Sequence, residues 1–186
     1  MTSATSRHPS RADFDPPGLP APQQPDSHYR IVMVCLGNIC RSPTAEVVLT
    51  AKLEAAALAD RVVVRSAGTG DWHLGQQMHP TSALTLEEQG YDSTVHRAAQ
   101  FVVSWFGEFD LVLAMDTSNL ASLGALTVDD SARQRVLMFR AFDPLAGADM
   151  EVPDPWHGDQ GGFDAVLAIV ERVTDQLVER LRALLG

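Results

Sequence analysis

An apolar run, Ile31-Val32-Met33-Val34 after Arg30, leads straight into the loop Cys35-Leu36-Gly37-Asn38-Ile39-Cys40-Arg41 and then into a helix start at Ser42-Pro43. A run without polar alternation reads as a strand buried on both faces. Ser42 suits an N-cap and Pro43 the first helical position. Ala45, Val48, Leu49, Leu53 and Ala56 then continue at helical spacing. The same alternation recurs along the chain. Val62-Val63-Val64 reads as a second strand, residues 80–89 as a helix closed by Gly90, Leu111-Val112-Leu113-Ala114 as a third strand and residues 135–139 as a fourth. The last helix is the clearest, with Phe163, Val166, Leu167, Val170, Val173, Leu177, Leu181 and Leu184 on one stripe. Strands alternating with helices predict an α/β fold, a parallel sheet with helices on both faces. Ligands of such sheets bind beyond the carboxyl ends of the strands, where the loop at Cys35 lies.

Residues 1–29 differ from the rest. They hold Pro9, Pro16, Pro17, Pro20, Pro22 and Pro25, six of the eleven prolines, and almost no aliphatic side chains. Too little apolar area is available there to offset ordering entropy, so a disordered extension is expected over 1–29 and one folded domain over 30–186. The net charge of −10 argues against nucleic acid or an anionic membrane as partner, since both need a basic face. Apolar runs fall short of the roughly 20 residues that span a bilayer. A signal-peptide pattern is missing from the N-terminus. With only Cys35 and Cys40, the chain looks built for a reducing, cytoplasmic setting; export without a signal peptide is not addressed by these features.

The loop at 35–41 is suited to chemistry at sulfur. The reactive form of cysteine is the thiolate. A loop wound around one point and feeding a helix N-terminus aims several N–H groups inward, at the thiolate and at phosphate oxygens alike. Arg41, six residues after Cys35, adds a planar, permanently charged fork for two of those oxygens. Gly37 permits a backbone conformation that a side chain would hinder. Ser42 is placed to donate its hydroxyl to the sulfur. A metal site is not expected, because no compact His or Cys cluster accompanies Cys35 and Cys40. An acid is also needed for the leaving oxygen. Asp154, between Pro153 and Pro155, is held on rigid, extended backbone and is the candidate, although Asp-Pro also occurs in plain turns.

Three segments resemble the low-molecular-weight protein tyrosine phosphatases: Val34 through Pro43 with Ala45-Glu46, then Ser66-Ala67-Gly68-Thr69-Gly70-Asp71-Trp72, then Asp154-Pro155-Trp156-His157-Gly158. His96-Arg97-Ala98-Ala99-Gln100 and Ala114-Met115-Asp116 add to the match. The resemblance implies a four-stranded parallel sheet with the phosphate-binding loop after the first strand. It implies that Cys35 attacks phosphorus and becomes a phosphocysteine. Arg41 and the loop residues Leu36, Gly37, Asn38, Ile39 and Cys40 would bind the phosphoryl oxygens, with no metal or cofactor required. Asp154 would protonate the tyrosine oxygen and then activate water, while Ser42 assists the thiolate. Asn38, Ser66 and His96 would hold the loop in shape. Trp72 and Trp156 would form the walls around the tyrosyl ring of a phosphoprotein substrate.

The sequence departs from the family in one place. Many members have two tyrosines after Asp-Pro, where this chain has Trp156 and His157. Stacking survives the change; control by tyrosine phosphorylation at those positions does not. In the family a second Cys at position 40 can form a reversible disulfide with the nucleophile, protecting it from over-oxidation. Two other activities use this scaffold. Thioredoxin-linked arsenate reductases need further cysteines downstream, and none follows Cys40. Protein-arginine phosphatases tend to carry Thr where Ile39 stands, and an aliphatic residue there suits a phenyl ester. A non-catalytic phosphate-binding module would be expected to lack Cys35, Arg41 or Asp154.

Overall fold

The computed structural model describes residues 14–24 and 27–186. Four strands, β1 (Tyr29–Cys35), β2 (Val62–Gly68), β3 (Leu111–Ala114) and β4 (Val136–Met138), form one sheet in the order β2-β1-β3-β4, every pair parallel. Helices α1 (Arg41–Ala55), α2 (Pro80–Glu88), α3 (Thr117–Ala125), α4 (Asp130–Arg133) and α5 (Gln160–Leu185) connect and cover it. The chain moves from β1 to β2 on one side and returns to β3 on the other. The end of β1 is therefore the switch point where a parallel sheet opens a crevice.

Alternation along the strands splits the core in two. Ile31, Met33, Leu111 and Leu113 point to one face and pack with Val48, Leu49 and Leu53 of α1, Leu86 of α2, and Val170, Val173 and Leu177 of α5. Val32, Val34, Val112 and Ala114 point to the other and meet Phe101, Phe106, Phe109, Leu123 and Ala132. Both faces are dry, which is why β1 reads as an unbroken apolar run. Gly90 closes α2 at φ +83°, in the left-handed region. Among the described residues no helix is long and apolar enough to cross a membrane.

Two expectations need correction. Residues 14–24, expected to be disordered, lie against the domain. The Gln23 backbone N–H donates to Asp110 Oδ1 at 2.6 Å, and its Nε2 donates to the Phe109 and Phe106 carbonyls at 2.8 and 3.2 Å. Tyr29 Oη donates to the Pro20 carbonyl, Arg135 to that of Ala21 and Arg180 to that of Pro16. Leu19 packs against the core. Backbone carbonyls taken up by side chains of the domain hold this stretch where apolar content alone would not. These contacts sit at the N-terminal ends of β1, β3 and β4, opposite the Cys35 loop. Residues 1–13 and 25–26 lie outside the described residues, and Tyr29 belongs to β1. Second, the N-cap of α1 is Cys40 and makes no side-chain cap bond. Ser42 lies inside the helix, where its hydroxyl stands 3.0 Å from the Cys35 sulfur instead.

Candidate active site

Cys35 ends β1, paired in register with Gly68 of β2. The loop that follows passes so close to β2 that a Cβ on Gly68 would stand 2.7 Å from the Leu36 carbonyl oxygen. A side chain at 68 would push the loop away. The residue that turns the loop back is Asn38, at φ 55°, rather than Gly37, whose φ is not positive. Asn tolerates this region better than most side chains, and here its side chain is fully tied. Asn38 Nδ2 donates to Ser42 Oγ at 2.9 Å and to Ser66 Oγ at 2.8 Å, and its Oδ1 accepts from the Ala99 N–H at 2.8 Å. His96 Nε2 lies 2.8 Å from the Asn38 carbonyl oxygen, and Ser66 Oγ donates to Glu46 at 2.5 Å. Thus Asn38, Ser66 and His96 stand behind the loop as one buried network.

The sulfur receives two polar contacts. The Asn38 N–H donates to Cys35 Sγ at 3.2 Å, and Ser42 Oγ lies 3.0 Å away. Ser42 already accepts from Asn38, so its single hydrogen goes either to the sulfur or to the Ala67 carbonyl at 3.2 Å. A negative sulfur wins that choice. Cys40, five residues on, differs in kind: burial pushes its thiol up to about 12, so it stays protonated near neutrality.

Arg41 is 3% exposed, and its guanidinium spans two carboxylates. Nη1 meets Asp116 Oδ2 and Nη2 meets Asp154 Oδ2, each at 2.6 Å. Burial alone would lower its pKa, but the surrounding Cys35, Asp154 and Asp116 more than offset that and raise it. Asp116 was not singled out from sequence as a site residue. Its Oδ1 caps α3 through the Asn119 N–H while Oδ2 orients Arg41, and a residue in a β3–α3 turn gives no local sign of the second task.

One cavity of about 390 Å³ gathers Cys35, Leu36, Gly37, Ile39, Cys40, Arg41, Trp72, His73, Asp154, Trp156 and His157. Cavities of this size take small organic ligands. Trp72 and Trp156 are 65% and 43% exposed, which leaves aromatic surface open at the rim. Trp72 folds over Gly70 so closely that a Cβ there would overlap its ring. Asp154 Oδ1 accepts from the Trp156 N–H at 3.1 Å, tying the two residues into one turn. Asn38, Ser42, Ser66 and His96 do not line the cavity. His73 and His79 near the rim went unremarked in the sequence.

Residues 30–184 match the family described as low molecular weight phosphotyrosine protein phosphatase. The chain belongs to this family. The family's low molecular weight protein-tyrosine-phosphatase from Streptomyces coelicolor is 42% identical over 155 residues, covering 83% of this chain and 94% of that one. Low molecular weight protein-tyrosine phosphatase A of Mycobacterium tuberculosis is 41% identical over 142 residues, covering 76% and 84%. The crystal structure of a protein tyrosine phosphatase from Entamoeba histolytica, with Hepes in its active site, superposes with a TM-score of 0.78 at 32% identity, covering 83% and 97%. As a low-molecular-weight tyrosine phosphatase, the chain is a hydrolase with the four-stranded parallel sheet expected of it.

Proposed function

We propose that this phosphatase removes phosphate from protein phosphotyrosine through a phosphocysteine on Cys35. The observation that carries this reading is the convergence of the Cys35 sulfur, the Arg41 fork and the Asp154 carboxyl on one cavity, with Arg41 and Asp154 2.6 Å apart. In the first step the Cys35 thiolate attacks phosphorus and the bond from phosphorus to the tyrosyl oxygen breaks. Asp154 gives that oxygen its proton. Arg41 and the amides of residues 36–41 meet the charge on the equatorial oxygens. This requires that, already on substrate binding, a phosphoryl oxygen takes the place beside Arg41 Nη2 that Asp154 occupies, freeing the carboxyl to take up a proton and face the leaving group before the first step. In the second step water attacks phosphorus, Asp154 takes its proton, and the sulfur leaves as thiolate with the Ser42 hydroxyl turned towards it. Leu36, Gly37, Ile39 and Cys40 form the cradle; Asn38, Ser66 and His96 keep its shape.

Trp72 and Trp156 bracket the tyrosyl ring, and Ile39 crowds the cavity floor in a way that suits a flat phenyl ester. Turnover of matched phosphotyrosine, phosphoserine and phosphoarginine peptides tests the substrate class. Preference for phosphotyrosine is expected; preference for phosphoarginine would overturn the substrate while leaving the sulfur chemistry standing. The two thiols are free and buried, which suits a reducing, cytoplasmic setting. We extend the proposal to redox protection by a Cys35–Cys40 disulfide, which requires the loop to open enough to release the Cys40 proton. Peptide mapping after peroxide should find that bridge; Cys35 recovered as sulfinic acid without it argues against protection.

A further inference from the structure

Trp156 stands in a short loop outside any strand or helix, three residues before the N-cap of α5. Its backbone is held by the Asp154 turn and by the Gly158 N–H donating to the Pro155 carbonyl at 2.9 Å. The place of its ring is therefore set by what the ring meets. Two imidazoles do so. His73 lies at a centroid distance of 5.7 Å and is itself tied, on a polar loop, to Gln76. His79 lies at 5.3 Å, edge to face at 65°, and is pinned three ways. Its backbone N–H donates to the Ile39 carbonyl of the phosphate loop at 2.7 Å. Its Nδ1 accepts from the Thr81 N–H and caps α2, which fixes the ring's orientation and leaves the ring hydrogen on Nε2. Its ring also stacks on Phe163 of α5, 5.2 Å away at 15°. Gln160, at the start of α5, donates to Thr85 Oγ1 within α2 at 2.7 Å and ties the two helices together.

We propose that His79 is the positioning residue that sets where Trp156 stands over the phosphate cradle. One residue touches the loop that grips phosphate, through Ile39, and the wall that faces the aryl ring, through Trp156. The spacing between the two thereby belongs to a helix end instead of a loose loop. His79 lies outside the cavity lining and does not touch the reacting atoms. The proposal rests on Trp156 being a substrate wall.

The test separates the ring from the cap. Asn is a good N-cap and lacks the flat ring, so His79→Asn should keep Tm near wild type. It should raise KM for a phosphotyrosine peptide about three- to tenfold, the scale of one lost aromatic contact. The kcat should change less than twofold, and inhibition by inorganic phosphate, which needs only the cradle, should not move. His79→Phe and His79→Leu lose the cap alike and differ in flatness; Phe should hold KM near wild type and Leu should not, which decides the matter should His79→Asn fold poorly. Trp156→Ala should raise KM as well. If Trp156→Ala raises KM while His79→Asn, or Leu against Phe, leaves it unchanged, the positioning role is wrong and the wall stands. If phosphate inhibition weakens in step with KM, His79 merely supports the cradle and the proposal fails. If Trp156→Ala leaves KM unchanged, the wall fails and the positioning role with it.

Discussion

Arg41 and Asp154 share an ion pair of 2.6 Å across the cavity. The cation that would grip phosphate and the carboxyl that would protonate the leaving oxygen are therefore neighbours, joined through a group the substrate must compete for. Replacing the acid should expose its role through the leaving group. Asp154→Asn is expected to lower kcat for phosphotyrosine by about 10²–10⁴-fold. The loss should shrink for an aryl phosphate whose phenolate leaves readily without a proton. Steady-state rates on the two substrates check this; equal losses on both would argue that Asp154 acts through Arg41 alone.

Asn38 combines a left-handed backbone with three side-chain bonds. Asn38→Ala should therefore cost stability twice, through strain and through stranded partners, roughly 2–4 kcal/mol together. Asn38→Gly relieves the strain and not the bonds, so it should fall between Ala and wild type in thermal denaturation. Ala and Gly with the same Tm would remove the strain from this explanation.

How much of this was legible beforehand follows from where the signals lie. The β1–loop–α1 unit stands out because a strand buried on both faces has no polar alternation and ends at Cys35. Asp154 stands out because two prolines frame it. Asp116 does not, since a helix cap and an arginine partner look alike in sequence. The same holds for His79, whose contacts with Ile39, Trp156 and Phe163 are all distant in the chain. Helix α3 is short and weakly patterned. Ser42 has the residue type of a cap, and only the fold turns its hydroxyl to sulfur. Residues 14–24 are poor in aliphatic side chains, yet bonds from Gln23, Tyr29, Arg135 and Arg180 hold them.

That strap gives a separable prediction. Gln23→Ala removes two donors to the Phe106 and Phe109 carbonyls and should cost roughly 1–2 kcal/mol. Because the strap lies at the strand ends opposite Cys35, kcat/KM should stay at the wild-type value. A changed kcat/KM with unchanged Tm would contradict the strap's purely structural place.

The stem of the Asp154 loop is pH-sensitive by construction. Asp143 lies between Arg140 and Arg172, and Arg140 also holds the Glu151 carbonyl at 2.7 Å. Burial alone would raise the Asp143 carboxyl, but the Arg172 bond, the Leu145 N–H and the two guanidinium charges hold it below the usual carboxylate range. A lowered folded value means stability that is present above the unfolded value of about 3.9 and lost as pH falls through the folded one. Asp143→Ala should thus cost about 3 kcal/mol at neutral pH, and the gap to wild type should narrow below about pH 4. Urea titrations at both pH values measure it, and a constant gap would contradict the charge argument.

The most direct test is to find the phosphorus. Enzyme mixed with a phosphotyrosine peptide, quenched during turnover and peptide-mapped should carry the phosphoryl group on Cys35, and Cys35→Ser should neither carry it nor turn over. A phosphoryl group on another residue, or undiminished turnover by Cys35→Ser, would contradict the assignment of Cys35 as nucleophile.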